Sequence, residues 1–210
     1  MAKLKVLVAC EYSGKVRDAF IAQGHDAMSC DFEPTDRKGK HYQGDVNDII
    51  NQGFDLLIAH PPCTYLTNAS VCHLHSEDQS FLPYKGQPRW VALDEAGKFF
   101  RMLLECNIPM KAIENPIPHK YAVERIGRKY DQIVQPWMFG HTESKATCLW
   151  LEGLPPIHET NNVKEDMMKL PKEVRQRLHY LSPSKDRWKL RSETYQGIAD
   201  AMAQQWGDIT

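Results

Sequence analysis

Pro61-Pro62-Cys63 closes an apolar run over residues 54–60, and Glu114-Asn115-Pro116 closes a second run over residues 110–113. Both runs predict buried strands of a parallel sheet. Each would deliver a reactive side chain at a carboxyl end, where open α/β sheets place their ligands. A cysteine and a glutamate meeting there suit covalent attack on a polarised heterocycle, the thiol adding to carbon while the carboxyl bonds a ring nitrogen. Two prolines stiffen the turn and push the chain out of the strand direction, which projects Cys63 into the crevice. Alone, Cys63 would be a small core hydrophobe and Glu114 a solvated strand-end charge. Together they predict a nucleophile and a proton donor or hydrogen-bonding partner to a ring nitrogen, a role that needs a pKa raised by burial. Asn115 is expected to anchor the local backbone.

The flanking sequence supplies the frame. Residues 5–10 form a compact apolar strand, residues 11–14 a turn, and Val16, Ala19 and Phe20 one helical face that ends at Gly24. A second strand over residues 26–30 leads to Asp31. Gly44-Asp45-Val46 makes a third short element. Asp31 and Asp45 thus follow strands at one sheet edge, as carboxylates do that bind a nucleotide's ribose hydroxyls and adenine amine; a solvated turn residue is the plainer alternative. Leu93, Ala96, Phe100, Leu103 and Leu104 mark an amphipathic helix with Pro88 in its first turn. Residues 133–134 and 147–151 predict an antiparallel hairpin around a loop at 140–145, because they are too close for a βαβ crossover. Residues 152–190 resist assignment, and Ile198, Met202 and Trp206 give a last helix. The fold class is α/β, with a mostly parallel sheet and an antiparallel hairpin.

A chain of 210 residues with 42% hydrophobic and 25% charged content can bury a core without staples. Its net charge of −1 carries no electrostatic signature of a tight polyanion binder. No stretch has the length of a membrane span, and the start is a short strand and not a signal peptide. Six cysteines without a Cys-x-x-Cys pair indicate reduced thiols and a cytoplasmic location. Cys72, His73 and His75 do not make a closed zinc site, so no metal is expected.

In order and context these pieces resemble the DNA (cytosine-5)-methyltransferase family, especially its small phage-type members. The resemblance rests on residues 8–14, Asp31, residues 44–46, Pro61-Pro62-Cys63, Glu114-Asn115-Pro116 and Arg191-Ser192-Glu193-Thr194-Tyr195. It covers most of residues 4–151 and again about 186–206.

The resemblance implies a Rossmann-like, S-adenosylmethionine-dependent methyltransferase fold. Cys63 would attack C6 of cytosine in DNA, Glu114 would bond N3 and the exocyclic amine, and C5 would take the methyl. Lys145 stands where the family has an arginine for the pyrimidine O2, without the bidentate fork. The cofactor would meet Glu11, Tyr12, Ser13, Gly14, Asp31, Asp45, Val46, Pro61, Ser192 and Thr194. The substrate would meet Pro62, Tyr65, Asn68, Ser70, Asn115, Arg187 and Trp188, with the loop from Thr64 to Gln87 closing over it. The family's stacking phenylalanine is replaced by Cys10, and Tyr12 is the aromatic residue at hand.

Residues 1–151 and 191–210 would then be the catalytic domain, and residues 152–190 a small insertion or reduced target-recognition segment. That segment interleaves Arg175, Arg177, Lys185, Arg187 and Lys189 with His179, Tyr180 and Trp188, which suits phosphate contact and base stacking as well as a solvated face. Its size leaves duplex DNA, single-stranded DNA and a free pyrimidine nucleotide open as substrates. A non-catalytic nucleic-acid or cofactor binder on the same fold is a rival that needs neither Cys63 nor Glu114. A cysteine hydrolase would need a histidine base, and His60 is expected on the face away from Cys63.

Overall fold

The computed structural model describes residues 2–74 and 88–209. Seven strands form one sheet in the order β3-β2-β1-β4-β5-β7-β6. They are β1 (Lys5–Ala9), β2 (Asp26–Asp31), β3 (His41–Gln43), β4 (Leu56–Ala59), β5 (Met110–Pro116), β6 (Gln132–Val134) and β7 (Thr147–Glu152). The first five pair in parallel, and β7 runs antiparallel to both β5 and β6. The expected mostly parallel α/β sheet with an antiparallel hairpin is therefore present. The short third element differs from expectation: the strand is His41–Gln43, and Val46 starts a 3-10 turn capped by Asp45.

Strand composition explains the two-sided burial. Val6, Val8, Leu56, Ile58, Ala112, Leu149 and Leu151 point to one face, where they meet α1 (Lys15–Ala22) and α8 (Gln196–Gly207) through Phe20, Met202 and Trp206. Leu7, Leu57, Ile113, Cys148 and Trp150 point to the other, against Leu93, Phe100 and Leu103 of α2 (Arg89–Glu105) and against α3 (Lys120–Ile126). Successive residues alternate between faces, and both faces are covered, so the strands carry near-continuous apolar runs. Pro88 caps α2 as expected. The helix α3 was not foreshadowed by periodicity. It is capped by the side chain of His119, which accepts from the Ala122 N–H, and it ends at Gly127 in the left-handed region.

The stretch that resisted assignment holds α4 (Lys164–Lys169), α5 (Lys172–Arg175), α6 (Arg177–Tyr180) and α7 (Arg187–Ser192). Its first residues belong to the core packing: Ile157 is buried, and Trp206 Nε1 donates to the Pro155 carbonyl at 2.9 Å. Among the described residues no helix is long and apolar enough to cross a membrane.

The path β1 to β2 to β3 runs outward on one side, and the chain then returns to place β4 on the other side of β1. This reversal opens a crevice at the carboxyl ends of β1 and β4. The register Ala9↔Ala59↔Ile113 brings the residues after β1 and β4 level with the last residues of β5. Because β7 is antiparallel, its amino end lies at the same edge, with Thr147 opposite Pro116.

Candidate active site

The crevice gathers Cys63, Glu114 and Lys145. Glu114 lies in β5, paired with Leu149, and its side chain is 16% exposed. Cys63 follows the two prolines after β4 and is exposed at the crevice mouth. Enough protein surrounds its sulfur that desolvation, followed by the nearby Glu114 charge, pushes the thiol up from its ordinary value. Lys145 and Arg191 pull it back in part. Lys145 stands two residues before β7, and its Nζ donates to the Arg191 carbonyl at 2.8 Å. The nucleophile turn is tied to the glutamate strand by Asn115, whose Nδ2 donates to the Pro61 carbonyl at 2.9 Å. Among the described residues the Asn115 Oδ1 is buried without a partner.

One expectation is corrected here. Burial acts to raise the Glu114 pKa, but the hydrogen bond and charge of His60, with the charge of Lys145, outweigh it and hold the carboxyl below its ordinary value. His60 Nδ1 lies 3.1 Å from Glu114 Oε2. An ionised carboxylate only accepts, so Nδ1–H is the donor. His60 thus serves Glu114 through Nδ1 and belongs to the site, a role that sequence reasoning missed. The missed signal was its position in the stretch between β4 and Pro61, level with the end of β5.

Around β1 the cofactor candidates take distinct parts. Cys10 adopts φ +58°, a conformation that costs a non-glycine residue energy and clusters at functional sites. Glu11 is buried. Its carboxylate accepts from the Val16 N–H at 2.7 Å and from the Arg17 N–H at 3.3 Å, so it holds the first turn of α1. Desolvation raises its pKa against the pull of His60 and those bonds. Ser13 is buried beside it, with its hydroxyl 3.3 Å from Glu11. Gly14 caps α1 at φ +69°, where a Cβ would collide with the Arg17 guanidinium.

Asp31 ends β2, half-buried, with its pKa raised by desolvation and lowered in part by the Glu33 N–H. Asp45 accepts from both the backbone and the side chain of Asn47 through Oδ1, and Val46 is buried below it. Pro61 is buried and Pro62 exposed.

The remaining candidates divide. Tyr65 and Leu66 are held through their carbonyls by His119, at 2.9 and 3.0 Å, and Asn68 N–H donates to the Ile117 carbonyl at 3.0 Å. Thr67 bridges Pro118. The chain after Cys63 is thereby anchored to the end of β5 as far as the 3-10 turn Asn68–Leu74. Ser70 is buried, and its hydroxyl donates to the Thr67 carbonyl. Most of the expected closing loop, residues 75–87 with His75, lies outside the described residues. Trp188 packs on Tyr12, with ring centroids 5.6 Å apart, so Trp188 and Arg187 of α7 are brought to the β1 side of the crevice. Ser192 bonds the Lys189 carbonyl at 3.0 Å, and neighbouring Glu193 pairs with Lys15 at 2.7 Å. Thr194 is half-buried between Glu193 and Tyr195.

The C-terminal motif closes the arrangement. Tyr195 donates to Glu143 at 2.8 Å, and Gly197 N–H donates to His141 Nε2 at 3.0 Å. Burial first, then the Glu143 hydrogen bond, drives the Tyr195 hydroxyl far up. Residues 191–197 are thus fastened to the loop that carries Lys145.

No protein-family model matches the chain, and no curated protein does. Solved structures do match. A prophage-encoded E. coli protein assigned as a DNA modification methyltransferase is 17% identical, with a TM-score of 0.46 over 81% of this chain and 56% of its own. The Entamoeba histolytica methyltransferase EhMeth is 14% identical, with a TM-score of 0.45 over 77% of this chain and 58% of its own. The S. pombe Dnmt2 methyltransferase is 15% identical, with a TM-score of 0.45 over 88% of this chain and 61% of its own. The chain spans less than two thirds of the length of each. Over most of its own length it is similar to these three methyltransferase structures at low sequence identity.

Proposed function

We propose that this chain methylates C5 of cytosine in DNA, using S-adenosylmethionine and a covalent adduct at Cys63. The observation that carries the reading is the convergence of Cys63, Glu114 and Lys145 at one sheet edge, close enough that each of the other two charges acts on the Cys63 thiol.

As thiolate, Cys63 adds through Sγ to C6, and the C5=C6 electron pair is drawn towards the N3–O2 side of the ring. Glu114 bonds N3 and the exocyclic amine, and Lys145 meets O2, so that charge is received by fixed groups. Bound S-adenosylmethionine supplies the methyl, as an electrophile on a sulfonium sulfur, that C5 takes once these residues have made it nucleophilic. Loss of the C5 proton to a base then restores the double bond and expels the Cys63 sulfur. A base in duplex DNA must leave the stack to reach Cys63.

The residues around β1 fit the cofactor. Asp31 is a carboxylate that burial disfavours at a strand end, and ribose hydroxyls would satisfy it. The strained Cys10 and the left-handed Gly14 shape the turn between β1 and α1, with Tyr12, Ser13, Asp45, Val46, Pro61, Ser192 and Thr194 around it. Residues 1–151 and 191–210 form the catalytic domain in this reading, and residues 152–190 a reduced recognition segment.

A second reading keeps the chemistry and takes a free pyrimidine nucleotide. The net charge of −1 favours it. The test is methyl transfer from labelled S-adenosylmethionine to duplex DNA, single-stranded DNA and deoxycytidine nucleotides, with products identified by mass spectrometry. 5-Methylcytosine in a polymer, with affinity falling steeply as salt is added, supports DNA. Product only in the mononucleotide supports the second reading. A folded protein that binds the cofactor and methylates none of the three overturns both.

A further inference from the structure

Glu114 is held ionised, although the reaction proposed above asks its carboxyl to carry a proton to the ring. The hydrogen-bond partner of that carboxylate lies one residue beyond β4. His60 is almost fully buried, with 7% side-chain exposure, and its Nδ1 meets Glu114 Oε2 at 3.1 Å. Its other nitrogen, Nε2, is buried and has no hydrogen-bond partner among the described residues. A buried polar atom without a partner carries a desolvation cost that a purely structural residue has no reason to retain.

The groups around the ring come from every element packed on the crevice. Glu114 faces it from β5. Glu11, after β1, is coupled to its charge. Lys145, ahead of β7, acts on Glu114 from the other side, and Cys63 lies on the turn that follows His60. Behind Glu11 stands the fully buried Arg17 of α1. The imidazole therefore bonds one buried carboxyl group, Glu114, and acts electrostatically on a second, Glu11.

We propose that His60 is the positioning residue that stores the proton Glu114 delivers to the pyrimidine. The inference rests on the methyltransferase reading. In the resting pair the imidazolium donates Nδ1–H to the Glu114 carboxylate. As Cys63 adds to C6, ring N3 becomes basic. The Nδ1–H bond breaks, its electron pair stays on the imidazole, and the proton passes to the carboxylate, which gives it to N3. The imidazole ends neutral, N3 ends protonated and Glu114 ends as it began. Elimination of the thiol returns the proton by the same path.

The experiment has two arms. The first uses free protein with labelled glutamate carboxyls and histidine rings. In wild type the Glu114 13C and His60 15N resonances should change over the same pH interval, and in His60→Asn the Glu114 carboxyl should titrate at higher pH. The second measures kcat/KM for methyl transfer. Asparagine keeps a donor towards Glu114 but stores no proton. His60→Asn should lower kcat/KM on the order of 100-fold at pH 8, the usual range for a proton-transfer group, and less than about threefold at pH 5.5.

A loss by the same factor at both pH values means that His60 only props Glu114, and overturns the proposal. So does a Glu114 titration that is unchanged in the variant. Should His60→Asn not fold, independent titration of the two resonances in wild type overturns it equally. A wild-type protein that methylates nothing refutes the methyltransferase reading instead. That outcome is distinct from an active enzyme whose variant keeps the wild-type pH profile, which sinks the relay alone.

Discussion

Tyr12 Oη donates a 2.7 Å hydrogen bond to the carbonyl of Lys189, 177 residues further along the chain. The Trp188 ring packs on Tyr12 at 5.6 Å, and Lys189 Nζ stands 5.2 Å from the Tyr12 ring centroid. The helix α7 is thereby clamped to the turn after β1, while its last residues reach Lys145 through the Arg191 carbonyl. It spans from the β1 side of the crevice to the side of Cys63 and Lys145. Desolvation pushes the Tyr12 hydroxyl up to about 12, aided by the charges of Glu193, Asp36 and Asp31.

Removing the clamp should loosen α7 before anything else. Trp188→Ala is expected to cost about 0.5–1.5 kcal/mol, the worth of one aromatic pair, and to bring the Tyr12 hydroxyl back towards its ordinary range. Hydrogen exchange should rise in residues 186–193 while the strands stay protected. Unchanged exchange there means that the clamp rests on the Tyr12 hydrogen bond alone.

Cys63→Ser keeps size and position and removes the sulfur nucleophile. Methyl transfer should fall on the order of 10⁴-fold or more, as for other nucleophile removals, with the melting temperature and cofactor Kd nearly unchanged. Single-turnover assays with labelled cofactor measure this. Substantial residual methylation would displace Cys63 from its role.

Asp31→Ala should weaken cofactor binding about tenfold or more, since a hydrogen bond to a charged group is worth about 1.5–3 kcal/mol. Calorimetric titration with S-adenosylmethionine is the direct check. An unchanged Kd would move the ribose contact elsewhere, with Asp45 next in line.

The acid limb of stability should carry a Glu114 component. Its folded pKa lies below the unfolded value, which is about 4.3. The resulting stabilisation is complete above the unfolded value and is lost as pH falls through the depressed folded value. Glu11 acts with the opposite sign, because its folded pKa is raised. Denaturant titrations between pH 3 and 6 should therefore show a shallower acid loss in Glu114→Gln than in wild type. An identical pH dependence would mean that the His60 pairing has no energetic consequence.

Arg17 is fully buried and bonded through its guanidinium to Asp18, Ser29, Thr35 and the carbonyls of Arg37 and Lys38. It fixes the chain after Asp31 onto α1. Arg17→Ala strands these acceptors and should destabilise the fold by about 3–5 kcal/mol. Arg17→Lys should rescue little, since one ammonium cannot span the fork's partners. Thermal unfolding compares the three proteins.

Legibility followed local pattern. β1, β2, β4, β5 and the α2 stripe were readable because strands buried on two faces need apolar runs and a one-faced helix needs the three-four spacing. Asp31, Cys63 and Glu114 were readable as strand-end positions because each stands where an apolar run stops. The third strand was placed one step too late because Gly44-Asp45-Val46 has the composition of an edge element, whereas the pairing to β2 falls on His41–Gln43. α3 and α4–α7 are short, α3 with a side-chain cap and the others without one, so no periodicity announces them.

Sequence alone determined the order of the main strands with α1, α2 and α8, the burial of those strands and the residue types at their carboxyl ends, since burial and turn geometry act on neighbours in the chain. The sign of the Glu114 shift was decided only in three dimensions. Burial acting by itself raises a carboxyl; the contact with His60, 54 residues away, reverses that. The seat of Trp188 against Tyr12 was decided in the same way. Electrostatics and ring packing depend on distances that the chain sets only after it has folded.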